Sequence, residues 1–312
     1  MHLEIREKSG IKKYYLSHSY RIGGKVRKAR IYIGENLAGA ELEIRKKLAE
    51  EKLRHKLEAV KKISDPFKTV LSKSELSVLG GLETKVLVKI ARLSEADWER
   101  FSERFTYDTN AIEGSAIGQK EVANILERGK WPDKPKGDIS ETYGVANAIK
   151  HIRKCKEHIS LPLILELHRI VFENSKPFAG KLRARGIEVV VADGQGNVVH
   201  RGAPSTSVRS LLLELCEWYG KNKSKYSPLV LAAVVHNQFE NIHPFQDGNG
   251  RVGRLLLNNI LLRHNMPPLN IELERRFEYY SALQAYEKMH NLRPTIELFL
   301  TEYKAMKKML KR

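Results

Sequence analysis

Two apolar runs, Leu229–Val235 and Val252–Ile260, enclose a polar, glycine-punctuated stretch, His243-Pro244-Phe245-Gln246-Asp247-Gly248-Asn249-Gly250-Arg251, with Arg254 one helical turn further on. The first run is apolar almost all round, and the second is apolar at helical spacing through Val252, Leu255, Leu256 and Ile260, so both predict core helices. Ser227-Pro228 gives the first helix a capping serine and a proline in its opening turn. That helix is central and delivers His243 at its end.

The stretch between the runs has the makings of a phosphate site. Gly248, Asn249 and Gly250 allow backbone conformations closed to most side chains, so successive amides can converge on an anion. The helix that starts there points its positive end at the same anion. Arg251 and Arg254 share one face of its first turn, and guanidinium groups grip phosphate oxygens in pairs. Asp247 suits a magnesium ion that keeps most of its water and shares one carboxylate with substrate phosphates. His243 can take a proton near neutral pH. A calcium loop is the competing reading of the same residues. It fails because Arg251 takes the third ligand position and Asn258 stands where the closing glutamate belongs. Phe245 is assigned to the core.

The stretch resembles the signature of the Fic family: histidine, any residue, phenylalanine, any residue, an acidic residue, Gly-Asn-Gly-Arg, two residues, arginine. Every position is filled, and the similarity runs over roughly residues 101–300. Most families with this pattern are adenylyltransferases, which move AMP from ATP to a hydroxyl of a protein side chain and release pyrophosphate. By that resemblance His243 is the base for the target hydroxyl, and Asp247 holds Mg2+ or Mn2+. Asn249 stabilises charge and, with the amides of Gly248 and Gly250, cradles the α-phosphate, while Arg251 and Arg254 hold the β- and γ-phosphates. Tyr279 and Tyr280 resemble the tyrosines beside the nucleotide. Glu287 stands near the place where many members carry an asparagine that reads adenine, and so departs from the pattern.

Thr109-Asn110-Ala111-Ile112-Glu113-Gly114 matches the family's inhibitory helix, which carries Ser or Thr, three residues, Glu, then Gly or Asn. The resemblance implies that Glu113 pairs with Arg254. A carboxylate there removes the partner that the γ-phosphate needs, so the enzyme rests switched off. Phe178-Ala179-Gly180-Lys181-Leu182-Arg183 resembles the lead into the Fic flap. Ile187–Ala192 and Asn197–His200 flank Asp193-Gly194-Gln195-Gly196, a hairpin signal. In Fic enzymes such a hairpin clamps the target by strand addition, which makes Val198, Val199, His200 and Arg201 the docking edge.

Elsewhere the chain reads more plainly. Lys13–Ser17 and Ala29–Ile33, about a turn at Gly23-Gly24, predict a small three-stranded meander over residues 1–37. Nine Lys/Arg against three Glu in those residues fit either a solvated strand face or nucleic-acid binding. Residues 36–62 predict one long charged helix, a connector or homodimer contact, broken at Asp65-Pro66 and followed by a short helix over 72–81. Further helices are expected over 138–158, 161–174, 207–219, 273–289 and 294–310. Net charge is +18, which favours anionic partners. With 42% hydrophobic and 29% charged residues, the composition is that of a globular protein. No apolar run approaches a membrane span and no signal-peptide pattern opens the chain, so a cytoplasmic protein with no membrane partner is expected. Cys155 and Cys216 are too few and scattered for a disulfide framework or zinc site.

The expected architecture is mainly α. A Fic-type helical bundle with a β-hairpin flap occupies residues 101–312, with the inhibitory helix at about 105–127, and is preceded by the meander (1–37) and a helical extension (38–100). The expected activity is autoinhibited AMP transfer from ATP to a Ser, Thr or Tyr hydroxyl of a protein target or of the chain itself. Removal of AMP, transfer from another nucleotide, and nucleic-acid binding through residues 1–37 are the alternatives.

Overall fold

Residues 1–22, 25–64, 72–74, 77, 90, 93–192 and 198–310 are described by a computed structural model. The predicted turn at Gly23-Gly24, the break at Asp65-Pro66, most of the helix at 72–81 and the hairpin loop at 193–197 lie outside the described residues. The architecture is mainly helical, with one three-stranded and one two-stranded antiparallel sheet.

The chain opens with strands β1 (His2–Lys8), β2 (Ile11–Ile22) and β3 (Lys25–Glu35), ordered β1-β2-β3, with a bulge at Tyr14/Tyr15. Three strands need a partner to bury one face. Here Tyr14, Leu16, Ala29, Ile31 and Ile33 pack against Ala49 and Leu53 of helix α1 (Gly39–Ser64). Ile44 and Leu48 of the same helix point to solvent. The sheet is also tied to helix α6 (Val208–Asn222), where Tyr20 Oη donates to Glu214 at 3.0 Å and Arg27 pairs with Glu217.

The main body begins with α2 (Glu95–Ile112), whose start is closed by a Ser94/Asp97 capping box, and α3 (Gln119–Arg128). Helices α4 (Lys136–Lys154) and α5 (Leu161–Phe172) cross so closely that a Cβ at Gly144 would sit 2.2 Å from the Val171 carbonyl oxygen. Strands β4 (Val190–Ala192) and β5 (Val198–Arg201) form the expected hairpin. After α6 come the two central helices, α7 (Pro228–Ile242) and α8 (Asn249–Arg263). A 3-10 turn (Leu273–Arg275) leads into α9 (Arg276–Met289) and α10 (Arg293–Leu310).

Helices α7 and α8 pack on each other. Helices α6, α9 and α10 surround α7, and α2, α4 and α5 surround α8. Every residue from Leu229 to Phe239 is buried, as is almost all of α8. Ser227 Oγ accepts from Val230 N at 3.4 Å, so the predicted cap is in place. The sharp link between the helices needs two left-handed residues, His243 (φ 50°) and Gly248 (φ 82°). At Gly248 a side chain is excluded twice, since its Cβ would also meet the Phe172 ring at 2.3 Å. Among the described residues no helix is long and apolar enough to cross a membrane.

Candidate active site

His243 ends α7, and its left-handed backbone turns the imidazole into a cavity of about 600 Å³. Nδ1 lies 3.2 Å from the Glu240 carbonyl oxygen. A carbonyl only accepts, so Nδ1 carries the proton and Nε2 keeps a lone pair for incoming acid. Burial, reinforced by charge on His200 and Arg183, lowers the His243 pKa to about 4. The ring is therefore a neutral base at pH 7.

From His243 the chain runs through Phe245, which is fully buried and stacks on His168 with ring centroids 3.8 Å apart. His168 accepts from Gly180 N at Nδ1 (2.8 Å) and donates from Nε2 to the Asp247 carbonyl (3.2 Å). Burial keeps it neutral by lowering its pKa to about 4. One fixed tautomer thus joins the lead into the flap to the loop before α8. Asn249 Oδ1 accepts from Phe245 N (2.8 Å), and Nδ2 donates to Phe245 O (3.0 Å). The Asn249 side chain is thereby spent on holding the loop, and what it offers to the cavity is its place at the helix start. Val252 N donates to the Gly248 carbonyl at 3.1 Å, so the amides of Asn249, Gly250 and Arg251 precede the first intrahelical donor. Gly248, Asn249 and Gly250 line the cavity beside His243 and Asp247.

The two arginines sit behind carboxylates. Arg254 is 1% exposed and makes four hydrogen bonds. Its Nε donates to Thr109 Oγ1 (2.7 Å) and Nη1 to Tyr279 Oη (3.2 Å). Its Nη2 donates to the Thr109 carbonyl (3.0 Å) and to Glu113 Oε1 (2.7 Å). The same Glu113 oxygen lies 2.1 Å from where a Cβ of Gly250 would be, so the carboxylate rests against the first turn of α8. Gly114, at φ 90°, turns the chain away immediately after it. Arg251 pairs with buried Glu141 of α4, lies 3.4 Å from Asp247 Oδ1 and stacks over Phe172 at 4.5 Å.

Asp247 Oδ1 also accepts from Gly248 N at 2.6 Å, and Oδ2 lies 3.0 Å from Lys176 Nζ. Burial alone would raise its pKa, but Lys176 and Arg251 outweigh that and hold the carboxyl below its usual range. A single ionised carboxylate at the cavity edge fits a magnesium ion that takes its other ligands from phosphates and water. Among the described residues no cluster of three or more His, Cys, Asp or Glu could hold a metal without such help.

The hairpin covers the side of the cavity near His243. Its register pairs Val190 with Arg201 and Val191 with His200. His200 Nδ1 meets Glu287 Oε1 of α9 at 2.8 Å, and its ring centroid is 5.6 Å from that of His243. The Glu287 that departs from the expected asparagine thus fastens the flap to α9. Arg183, 5% exposed, fixes the root of the flap. Its Nε donates to the His243 carbonyl (2.8 Å), Nη1 to Ile187 O (2.8 Å) and Nη2 to Ala203 O. Tyr280 lines the cavity and donates to Ile112 O (3.1 Å). Tyr279 is 2% exposed and belongs to the Arg254 network, with His236 Nε2 also 3.0 Å from its hydroxyl.

Residues 158–261 match the Fic/DOC family. That matched segment, a third of the chain, holds the whole motif from His243 to Arg254. It is 35% identical over 200 residues to the protein adenylyltransferase fic-1 of Caenorhabditis briggsae, covering 62% of this chain and 38% of the relative. The C. elegans protein adenylyltransferase fic-1 is 33% identical over 202 residues, with the same coverage. The chain therefore spans under half the length of these curated relatives. Its fold is similar to a Fic-domain signaling protein from Bacteroides thetaiotaomicron (TM-score 0.64, 22% identity, 75% of this chain and 94% of that one). It is also similar to residues 134–508 of C. elegans Fic-1 (TM-score 0.63, 24% identity, 86% and 85%).

Several residues of this Fic/DOC site gave no signal in the sequence. Arg183 was visible only as the end of the lead into the flap, and His168 and His236 read as members of helices. Glu141, Lys176 and Glu240 reach the site through packing of separate elements. Glu240 lies beside the cavity with Oε1 lacking a hydrogen-bond partner, and burial plus the nearby Glu113 charge push its pKa up to about 8.

Proposed function

We propose that this chain is a protein adenylyltransferase, moving AMP from ATP to a Ser, Thr or Tyr hydroxyl of a protein target or of itself, and held off by Glu113. Residues 101–312 form the catalytic core in this reading, with 38–100 as a helical extension and 1–37 as an accessory sheet. The observation that carries it is that the free lone pair of neutral His243 and the amide-lined start of α8 open on one cavity. The target segment adds to the hairpin edge at Val198–Arg201, bringing its hydroxyl to His243 Nε2. As the hydroxyl oxygen bonds to the α-phosphorus, its proton passes to Nε2, the bond from the α-phosphorus to the bridging oxygen breaks, and pyrophosphate leaves. The amides of residues 249–251 and the α8 dipole stabilise the charge that develops, an arrangement worth about 10²–10³ in rate. Asp247 would hold Mg2+ or Mn2+, which when bound supplies charge neutralisation to the phosphates.

Glu113 and Thr109 occupy the Arg254 guanidinium that the outer phosphates need, which supports a resting state closed to productive ATP. The test is transfer of α-labelled AMP by the Glu113→Gly variant to itself and to proteins of a cell lysate. Adding His243→Ala should abolish labelling, and labelling that persists would remove His243 as the base.

A second reading concerns the outer face of the N-terminal sheet. Tyr15 and Tyr32 meet there with tilted rings, centroids 5.3 Å apart, and the guanidinium carbons of Arg6 and Arg30 lie 5.6 and 5.7 Å from the Tyr15 ring centroid. Stacking surfaces interleaved with cations suit a nucleic acid. A mobility-shift titration in salt tests this, and binding that ignores salt or survives Arg6→Ala/Arg30→Ala would refute it.

A further inference from the structure

Lys176, in the turn after α5, stands between the two carboxylates nearest the start of α8. Its Nζ is 3.0 Å from Asp247 Oδ2 and 3.6 Å from Glu141 Oε1. Arg251 closes the circuit, with Nη1 on Glu141 and Nη2 3.4 Å from Asp247 Oδ1. Two cations and two anions thus alternate around a ring whose net charge is zero. The ring has a fixed side and a movable side. Arg251 and Glu141 side chains are 7% and 9% exposed, whereas those of Lys176 and Asp247 are 32% and 42% exposed. Asp247 Oδ1 is already engaged by Gly248 N and Arg251, so Oδ2 is the oxygen open to another cation, and Lys176 is on it.

We propose that Lys176 is a tethered place-holder for the divalent cation, occupying Asp247 Oδ2 until nucleotide phosphates arrive. The inference rests on the reading of Asp247 as the metal-holding carboxylate. An ammonium at hydrogen-bond distance and a divalent ion at about 2 Å cannot share one carboxylate oxygen, because like charges would then lie in near contact. Without Lys176 the ring would carry one net negative charge and attract a divalent ion unaided. With it, the ion gains little until phosphates add their own negative charge, so uptake of the ion is tied to uptake of nucleotide. The long, partly solvated lysine stem makes the exchange a side-chain movement and leaves the buried Arg251–Glu141 pair in place.

The test measures Mn2+ binding to the full-length protein by loss of the free-ion electron paramagnetic resonance signal, without nucleotide and with a non-hydrolysable ATP analogue. Wild type, Lys176→Met, Asp247→Asn and the double variant are compared, with Lys154→Met as a control that removes a distant exposed charge. Lys176→Met should bind Mn2+ alone about tenfold tighter, Lys154→Met should not, and Asp247→Asn should cancel the gain. Lys176→Gln, which keeps much of the stem, should repeat the result if Lys176→Met melts abnormally. No gain in either lysine variant, or weaker binding, overturns the place-holder while leaving Asp247 as the metal carboxylate, provided that Asp247→Asn weakens Mn2+ with the analogue. If Asp247→Asn changes nothing in either condition, the metal reading itself falls.

Discussion

Replacing Glu113 by glycine should lower the stability of the resting protein and raise its productive affinity for ATP. Both effects come from one contact. The Glu113–Arg254 bond is 2.7 Å long, the Arg254 side chain is 2% exposed and that of Glu113 is 29% exposed. A charge-assisted hydrogen bond contributes about 1.5–3 kcal/mol, and partial exposure of the carboxylate puts this one near 1.5–2. Arg254 keeps its bonds to Thr109 and Tyr279 in the variant, so the larger penalty for stranding a buried charge does not apply. Glycine beside Gly114 adds backbone entropy to the unfolded chain, a further loss of about 0.5–1 kcal/mol that Glu113→Ala largely avoids.

A phosphate seated on Arg254 must displace the carboxylate first, so removing it should tighten productive binding about 10–30-fold, at ~1.4 kcal/mol per factor of ten. Calorimetry with a non-hydrolysable ATP analogue reads the affinity, and labelled self-modification reads its consequence. A thermal melt should fall by about 2–4 °C per kcal/mol lost. The reasoning fails if both glycine and alanine variants remain folded yet bind the analogue no better than wild type.

Two further outcomes follow from other contacts. Glu240 has a folded pKa of about 8 against a carboxyl's usual 4.5, so the folded state keeps a proton that the unfolded chain releases between those values. Its contribution is complete below about pH 4.5 and is lost as pH rises through 8, so Glu240→Gln, permanently neutral, should gain in melting temperature relative to wild type between pH 5 and pH 8; a difference that does not change with pH would refute this. Arg183→Lys should expose residues 187–203 to hydrogen exchange and lower kcat more than the KM for ATP, since one ammonium cannot bridge His243 O, Ile187 O and Ala203 O together; unchanged exchange there would show that the flap root is held some other way.

Most of the helices, the meander, the hairpin and the loop joining α7 to α8 were legible because each rests on local physics, whereas the single helix expected at about 105–127 is two, Glu95–Ile112 and Gln119–Arg128, parted at the left-handed Gly114. Apolar periodicity marks a buried helix, and Ser-Pro marks its start. The motif around His243 was legible as chemistry for the same reason, as its residues are neighbours in the chain and share one turn. Even the pairing of Glu113 with Arg254, 141 residues apart, was available through the resemblance of Thr109–Gly114 to an inhibitory helix. What the sequence could not carry was protonation and partnership across elements. Whether His243 is neutral depends on how deeply the fold sets it and on which carbonyl faces Nδ1. That Asn249 staples the loop, that Tyr279 braces Arg254, that Glu287 holds the flap through His200, and that Lys176 sits on Asp247 all depend on side chains from separate helices and strands meeting at one cavity. Those meetings are fixed by how α4, α5 and α9 dock on the central pair of helices, and docking is a property of three-dimensional packing that no local pattern encodes.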